Sequence, residues 1–322
     1  MKAALCFIIN YKHILNKEEI WKKWIEPNKD IINVYFFYKD RTLIQSEWIL
    51  EHCIPESFIC NTSYYHVIPA YISLMNYGFQ TDANNQWFCF LTDSCCPIIS
   101  PRRFRYLFFT YYHKSVMSWR KAWWNPAFHK RANLAMFPQE LRLANDPWFV
   151  WNRDHVEICL KYVKMKQPIV KMICNGGLAN ESLFAMILYS TKQMGSVMNQ
   201  ITHAADWSRM VSSTSPYLFS QVTNLDMEFI EKTLNANPCI MFIRKVDPQF
   251  SDDILKYFIY DYSKDSDSKL RIPFFHHYIV NTMCNMFKIF FFFYLAYTIY
   301  CFYQNVCVSS KDSIYLRCPG YQ

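Results

Sequence analysis

Three groups of residues have the types and spacing to do chemistry. The first is Asp93-Ser94, which directly follows the unbroken apolar run Trp87-Phe88-Cys89-Phe90-Leu91. Small polar residues just past the carboxyl end of a buried strand sit where open α/β sheets bind ligands, because loop amides and helix N-termini converge there. The same aspartate equally suits a simple turn cap. The second group is residues 119–131 (WRKAWWNPAFHKR), which interleave indoles with cations, Lys130 and Arg131 among them. Such a segment, read as mostly irregular, either walls a site that stacks a sugar ring and holds an anion or packs as an aromatic flap with a solvated charge run. The third is Glu181, which follows Gly176-Gly177 and opens the apolar stretch LFAMILYS. A carboxylate at a helix start answers the helix dipole, and beside a flexible turn it is also placed to move over a substrate.

The elements that must position these residues follow from hydrophobic period. Residues 3–9 and 31–38 read as buried strands, and residues 17–24 between them as a helix with Ile20, Trp21 and Trp24 on one side. Strand, helix, strand in forty residues is a βαβ opening, the start of a mostly parallel sheet. No Gly-x-Gly-x-x-Gly follows the first strand, so a dinucleotide fingerprint is not supported. Residues 66–77 read as a helix entered through Pro69 and leading to the strand at Trp87. After Asp93, Ser100 offers an N-cap and Pro101 suits the first turn of the next helix. Residues 148–151 read as a short strand, and Asn152-Arg153-Asp154 as the start of a helix in which Arg153 clamps the joint.

Placed in order, several short motifs resemble the core-2/I-branching β-1,6-N-acetylglucosaminyltransferase family, including its plant-type relatives. FLTDSCCPI is similar to that family's strand-and-loop segment, and NDPWFVWNRDHV to its aromatic–Phe-x-x-x-Arg segment. In the latter, Asp146-Pro147 replaces a Gly-Ser, a departure at the acceptor groove. Ala179-Asn180-Glu181-Ser182-Leu183-Phe184-Ala185 resembles Pro-Asp-Glu-x-Leu-(Trp/Phe)-Ala, and Thr202-His203-Ala204-Ala205-Asp206-Trp207-Ser208 resembles the plant-type Thr-x-x-Asp-Trp-Ser. Ile243-Arg244-Lys245-Val246 resembles the family's Ala-(Arg/Asn)-Lys-Phe.

The resemblance implies an α/β, GT-A-like nucleotide-sugar-binding fold and an inverting transfer from a UDP-sugar, N-acetylglucosamine or xylose, to a hydroxyl of a glycan or glycoprotein. It implies Glu181 as the general base that takes the acceptor's proton. Asp40, Asp93, Ser94, Arg244 and Lys245 are then expected at the nucleotide, with Lys245 balancing the diphosphate in place of a metal. Either Arg244 or Arg209 stands in for the family's upstream arginine. Lys130, Arg131, Trp148, Asp206 and Trp207 are expected at the acceptor. A histidine near the nucleoside in the animal members is Tyr38 here. The rival of another class is a non-catalytic, membrane-tethered carbohydrate-binding or interaction module with the same fold.

Composition narrows the partners. The chain is 52% hydrophobic with only 5 glycines, which excludes disorder and repeats, and its formal charge of +8 suits an anionic ligand or a membrane surface. No basic stripe or zinc finger supports nucleic acid. The 13 cysteines are scattered without a Cys-x-x-Cys, which argues against thiolate metal binding and fits reduced, buried thiols in the cytosol. Residues 1–262 read as the transferase domain and 263–288 as a charged linker, whose Asp265-Ser266-Asp267 reads as solvated. Residues 289–308 carry no charge over twenty positions, the length of a membrane-spanning helix, and 309–322 form a short tail. More Lys and Arg precede that span than follow it, which would leave the domain cytosolic on a single-pass C-terminal anchor.

Overall fold

The sequence begins as its hydrophobic pattern dictates, with β1 (Lys2–Ile8), α1 (Glu18–Ile25) and β2 (Ile32–Phe37). After them come α2 (Glu47–Glu51), α3 (Ile68–Thr81), β3 (Asn85–Thr92), β4 (Cys96–Pro97) and α4 (Pro101–Tyr111). Next are β5 (Ser115–Val116), β6 (Trp119–Lys121), β7 (Leu143–Asn145), β8 (Val150–Asn152), α5 (Arg153–Met165), α6 (Gln167–Cys174) and α7 (Leu183–Ser190). The run ends with β9 (Val197–Met198), β10 (His203–Ala205), α8 (Asn224–Ala236), β11 (Phe242–Arg244) and α9 (Asp252–Lys256). This computed structural model describes residues 1–262 except 64, 127–129 and 213, together with 291, 294, 295 and 297–299. The chain divides into two units, Met1–Arg271 and Ile272–Gln322.

A six-stranded sheet of order β2-β1-β3-β8-β5-β9 forms the centre. β1 pairs parallel with both β2 and β3, and β5 with β9, whereas β8 runs antiparallel to β3 and β5. The fold class is therefore α/β with a mixed, mostly parallel sheet. A smaller sheet, β10-β11-β4, and the β6-β7 ladder lie beside it in the topology.

Residues 87–91 of β3 are all apolar because both faces of the strand are covered. Trp87, Cys89 and Leu91 join Leu5 and Phe7 in one core with Trp21 and Trp24 of α1. Phe88 and Phe90 join Ala4 and Cys6 in the other, with Tyr71 and Leu74 of α3 and most of α7. The two α1 indoles also fix the loop after β3. Trp21 Nε1 donates to the Cys95 carbonyl at 3.0 Å and Trp24 Nε1 to that of Ile99 at 2.7 Å. Ser100 then caps α4, accepting from the Arg103 amide at 2.9 Å. Arg153 is the clamp its position suggests: its guanidinium donates to the carbonyls of Phe79, Asp82 and Asn85 and lies 3.8 Å from the Phe79 ring centroid.

Residues 119–131 are, as expected, mostly irregular among those described, apart from β6, which pairs antiparallel with β7 in the register Trp119↔Asn145. Two local expectations change. Glu181 does not open the helix; it closes the 3-10 turn Ala179–Glu181, and α7 begins after Ser182. The Gly176-Gly177 pair is a site of tight packing, not a free hinge. A Cβ on Gly176 would overlap the backbone of Asn133 and the Lys130 carbonyl, and the Gly177 carbonyl accepts from the Ala132 amide at 3.0 Å.

The predicted span 289–308 and Asp265-Ser266-Asp267 lie, apart from the six tail positions named above, outside the described residues. Among the described residues no helix is long and apolar enough to cross a membrane.

Candidate functional site

The carboxyl ends of β1 and β3, the loop after β7 and the segment after β11 enclose a cleft of about 940 Å³. Of the residues the sequence singles out, Asp93, Ser94, Trp148, Glu181, Arg131, Trp207, Arg244 and Lys245 all line it. The charges inside it fall into two groups.

At the first, Asp93 leaves β3 opposite Asn10, which leaves β1, and the Asn10 amide donates to the Asp93 carboxylate. Asn16 stitches the loops together: its backbone N–H donates to the Asp93 carbonyl at 3.0 Å and its side chain to the Val246 carbonyl at 2.7 Å. The Val246 amide in turn donates to the Ser94 carbonyl at 2.8 Å. β11 thereby delivers two consecutive cations to the same place. Arg244 is buried, its Cζ stacked 3.6 Å from the Trp148 ring centroid, and Nη1 donates to Thr92 Oγ1 at 3.3 Å. Its Nε is buried without a partner. Lys245 Nζ donates to Ser215 Oγ at 2.7 Å. Burial, and after it the neighbouring guanidinium, lowers the Lys245 pKa, and burial lowers that of Arg244. Burial raises the Asp93 pKa against the pull of Arg244. Arg244 and Lys245, with Lys12 and Lys39 also lining the cleft, outnumber Asp93 and Asp247 and leave an excess of positive charge that an anion would balance.

At the second group, Glu181 lies 3.6 Å from Arg131 Nη1. Burial raises its pKa; Arg131 pulls it down and Asp146 pushes it up. Asp146 lines the cleft too and is itself raised by burial, with Arg120 and the Ser118 hydroxyl opposing. The Asn145 side chain holds this end together, donating to the Asn180 carbonyl at 2.9 Å and accepting from the Ala185 amide at 3.1 Å. Tyr71 sits at the seam. Its hydroxyl donates to the Pro147 carbonyl at 2.7 Å, and it feels both Arg244 and Glu181.

Three expected site residues lie elsewhere. Asp40 does not line the cleft; its carboxylate caps the Arg41–Leu43 turn, accepting from the Thr42 amide at 2.9 Å and hydroxyl at 2.6 Å. Lys130 is exposed, and what it contributes is a carbonyl that accepts from Asn133 at 3.2 Å beside Gly176. Asp206 is buried and structural. It accepts from the Ser208 amide and hydroxyl and from Arg209 Nε, and Arg209 reaches on to buried Asp226 at 2.9 Å. Arg209 is thus already committed, whereas Arg244 adjoins Lys245 and lines the cleft with it. The sequence did not single out Asn10, Arg120 or Trp123 individually, though all three line the cleft. Asn10 was legible in principle, since it follows β1 as Asp93 follows β3. Among the described residues no group of three or more His, Cys, Asp or Glu is arranged to hold a metal ion.

The family model described as Core-2/I-Branching enzyme matches residues 9–232, more than half of the 322. No curated protein matches. The matched region takes in Asp93 and Glu181 but ends before Arg244 and Lys245.

Proposed function

The chain belongs to the core-2/I-branching family of glycosyltransferases, and from that premise we propose an inverting transfer from a UDP-sugar, carrying N-acetylglucosamine or xylose, to a hydroxyl of a glycan or glycoprotein. In this reading the acceptor oxygen attacks the anomeric carbon as Glu181 takes its proton, the bond to the diphosphate breaks, and UDP leaves with the electron pair. Lys245 and Arg244 hold the diphosphate's negative charge as it develops, without a metal. Asp93 and Ser94 border the nucleotide, and Arg131, Trp148 and Trp207 the sugars.

The observation that carries the reading is the division of charge within one cleft. Buried Arg244 and half-buried Lys245 crowd one end, and a half-buried carboxylate, Glu181, stands at the other with its pKa raised by desolvation. A base poised above the ordinary carboxylate range accepts a hydroxyl proton more readily than an exposed glutamate. A membrane anchor over residues 289–308 remains part of the proposal, supported by its twenty uncharged positions.

The test is ligand-linked stability. UDP should raise the melting temperature of the chain, and a screen of UDP-sugars should find one whose sugar is transferred. UDP protection without transfer to any glycoside would favour the non-catalytic module. No protection at all would overturn the nucleotide site.

A further inference from the structure

Asp146 has no place in the chemistry above, yet it lines the cleft near Glu181. It directly follows β7, and its amide donates to the Ser118 carbonyl at 3.0 Å, so the β6-β7 ladder fixes where the carboxylate starts. The Asn145 side chain ties the preceding residue to the Ala179–Glu181 turn. Both carboxylates are therefore carried on one hydrogen-bonded frame. Beside them stand Arg120, Arg131 and Trp123, all lining the same cleft. Arg131 pairs with Glu181, while Asp146 has Arg120 as its attracting cation. Trp123 is 56% exposed although it is a large indole, with Arg120 Cζ 4.1 Å from its ring centroid.

An exposed indole beside a second carboxylate is what recognises a neutral sugar ring. The ring's C–H face packs on the aromatic, and its adjacent hydroxyls donate to a carboxylate that has acceptor capacity to spare. The two arginines and two carboxylates cancel in charge, so this end has no excess that would select an anionic sugar. We propose that Asp146 is a second, acceptor-binding carboxylate. It accepts hydrogen bonds from hydroxyls of the ring whose own reacting hydroxyl faces Glu181, with Trp123 as the platform, and the acceptor it selects is a neutral glycoside. Asp146 does not take the reacting proton; it sets which ring is held and how.

This rests on the transferase reading, and the experiment separates the two. The full chain and its Asp146→Asn and Trp123→Ala variants are compared with the UDP-sugar found active, using the best acceptor from a panel of benzyl glycosides of neutral sugars and a monosulfated counterpart of it. Loss of a charge-assisted hydrogen bond should raise the acceptor KM of Asp146→Asn about ten- to a hundredfold, with kcat changed far less. UDP affinity by calorimetry should stay at the wild-type value, and the melting temperature should not fall; because burial raises the Asp146 pKa, the neutral asparagine should melt at or above wild type near neutral pH. The preference for the neutral over the sulfated acceptor should shrink, because a repelling charge is gone. Trp123→Ala should raise the acceptor KM as well. An unchanged acceptor KM in Asp146→Asn, with transfer and UDP binding intact, overturns the inference alone. A drop in UDP affinity or in melting temperature that accounts for the KM change would make Asp146 a structural residue and overturn it too. Failure of the wild type to bind UDP overturns both readings.

Discussion

The two ends of the cleft are built from different material. At the nucleotide end the polar and charged groups sit on or next to long-range strand pairing: Asp93 follows β3, Asn10 follows β1, and Arg244 ends β11. Asn10 binds Asp93, Asn16 binds the Val246 carbonyl, and the cations Arg244, Lys245, Lys12 and Lys39 outnumber the carboxylates Asp93 and Asp247. At the base end Glu181 closes the 3-10 turn Ala179–Glu181, Arg131 opens the 3-10 segment Arg131–Met136, and Asp146 lies in the loop after a short ladder. Opposite charges alternate there. On the proposed function, the difference means that one end is shaped to receive charge and the other to move a proton. A receiving site needs a fixed excess of cations. A base needs desolvation without a permanent strong partner, and the 3.6 Å separation between Arg131 and Glu181 is looser than a good charge-assisted hydrogen bond.

The sharpest way to break this comparison is Glu181→Gln. It keeps the shape and removes the proton acceptor, so transfer should fall by about a hundred to ten thousand while UDP affinity is unchanged. The same substitution should alter stability in the opposite sense. Burial raises the Glu181 pKa. Between the ordinary glutamate range and that raised value, the native state keeps a proton the unfolded state has released, so stability falls as pH rises through the window. The Gln variant has no such loss and should melt higher than wild type near neutral pH, with the gap closing towards about pH 4. In the wild type the acid limb of the rate profile should lie above the ordinary glutamate range. Near-wild-type turnover in Glu181→Gln would reduce the carboxylate to a turn feature.

The next effect separates recognition from architecture. Asp206 is 2% exposed and salt-bridged to Arg209. Burial alone would raise its pKa, but hydrogen bonds from Ser208 and Arg209 outweigh this and hold it low. Asp206→Ala leaves Arg209 half-paired and should cost about 3 kcal/mol in denaturant unfolding. Whatever folds should still bind the acceptor with wild-type KM, and a selective rise in that KM would return Asp206 to the acceptor site. Lys245→Ala should act on the nucleotide end alone, weakening UDP about ten- to a hundredfold by loss of a charge-assisted contact. Activity of the wild type should survive EDTA; complete loss restored by Mn²⁺ would sink the role given to Lys245.

Much of the nucleotide end was legible because strand periodicity is local. The β1–α1–β2 opening, the double-sided burial of β3, the Ser100 cap and the position of Asp93 all follow from residue order. The base end was less so. Glu181 could be located by its motif, but its real support, Asn145 holding the Asn180 carbonyl, joins residues 35 apart in sequence. No short-range pattern encodes such a contact. Gly176 misled for the same reason: glycine beside glycine suggests freedom, whereas here the missing Cβ admits the backbone of Asn133 and Lys130. Asp206 misled because an aspartate in a recognisable Asp-Trp-Ser string looks like a ligand until Arg209 and Asp226 are seen closing on it.

The smallest expected effect is the most instructive, because it concerns a residue that motif order alone placed at the nucleoside. Asp40 follows β2 as Asp93 follows β3, so parallel logic puts both at the ligand. The structure separates them. β2 is an edge strand of the sheet, and three residues beyond its end Asp40 caps the Arg41–Leu43 3-10 segment. There the Asp40 carboxylate caps Thr42, whose side-chain and backbone hydrogen bonds hold its pKa low, while its amide donates to His13 Nε2 at 3.0 Å. The neighbouring Lys39 lines the cleft instead, as do Tyr11 and Lys12 after β1. Asparagine is as good a cap as aspartate. Asp40→Asn should therefore leave donor KM, UDP affinity and melting temperature at wild-type values, whereas Asp93→Asn should raise donor KM. A rise in donor KM for Asp40→Asn matching that for Asp93→Asn would mean that the capping carboxylate turns to the nucleoside when UDP is bound, and that the edge strand contributes to the nucleotide end as fully as the central one.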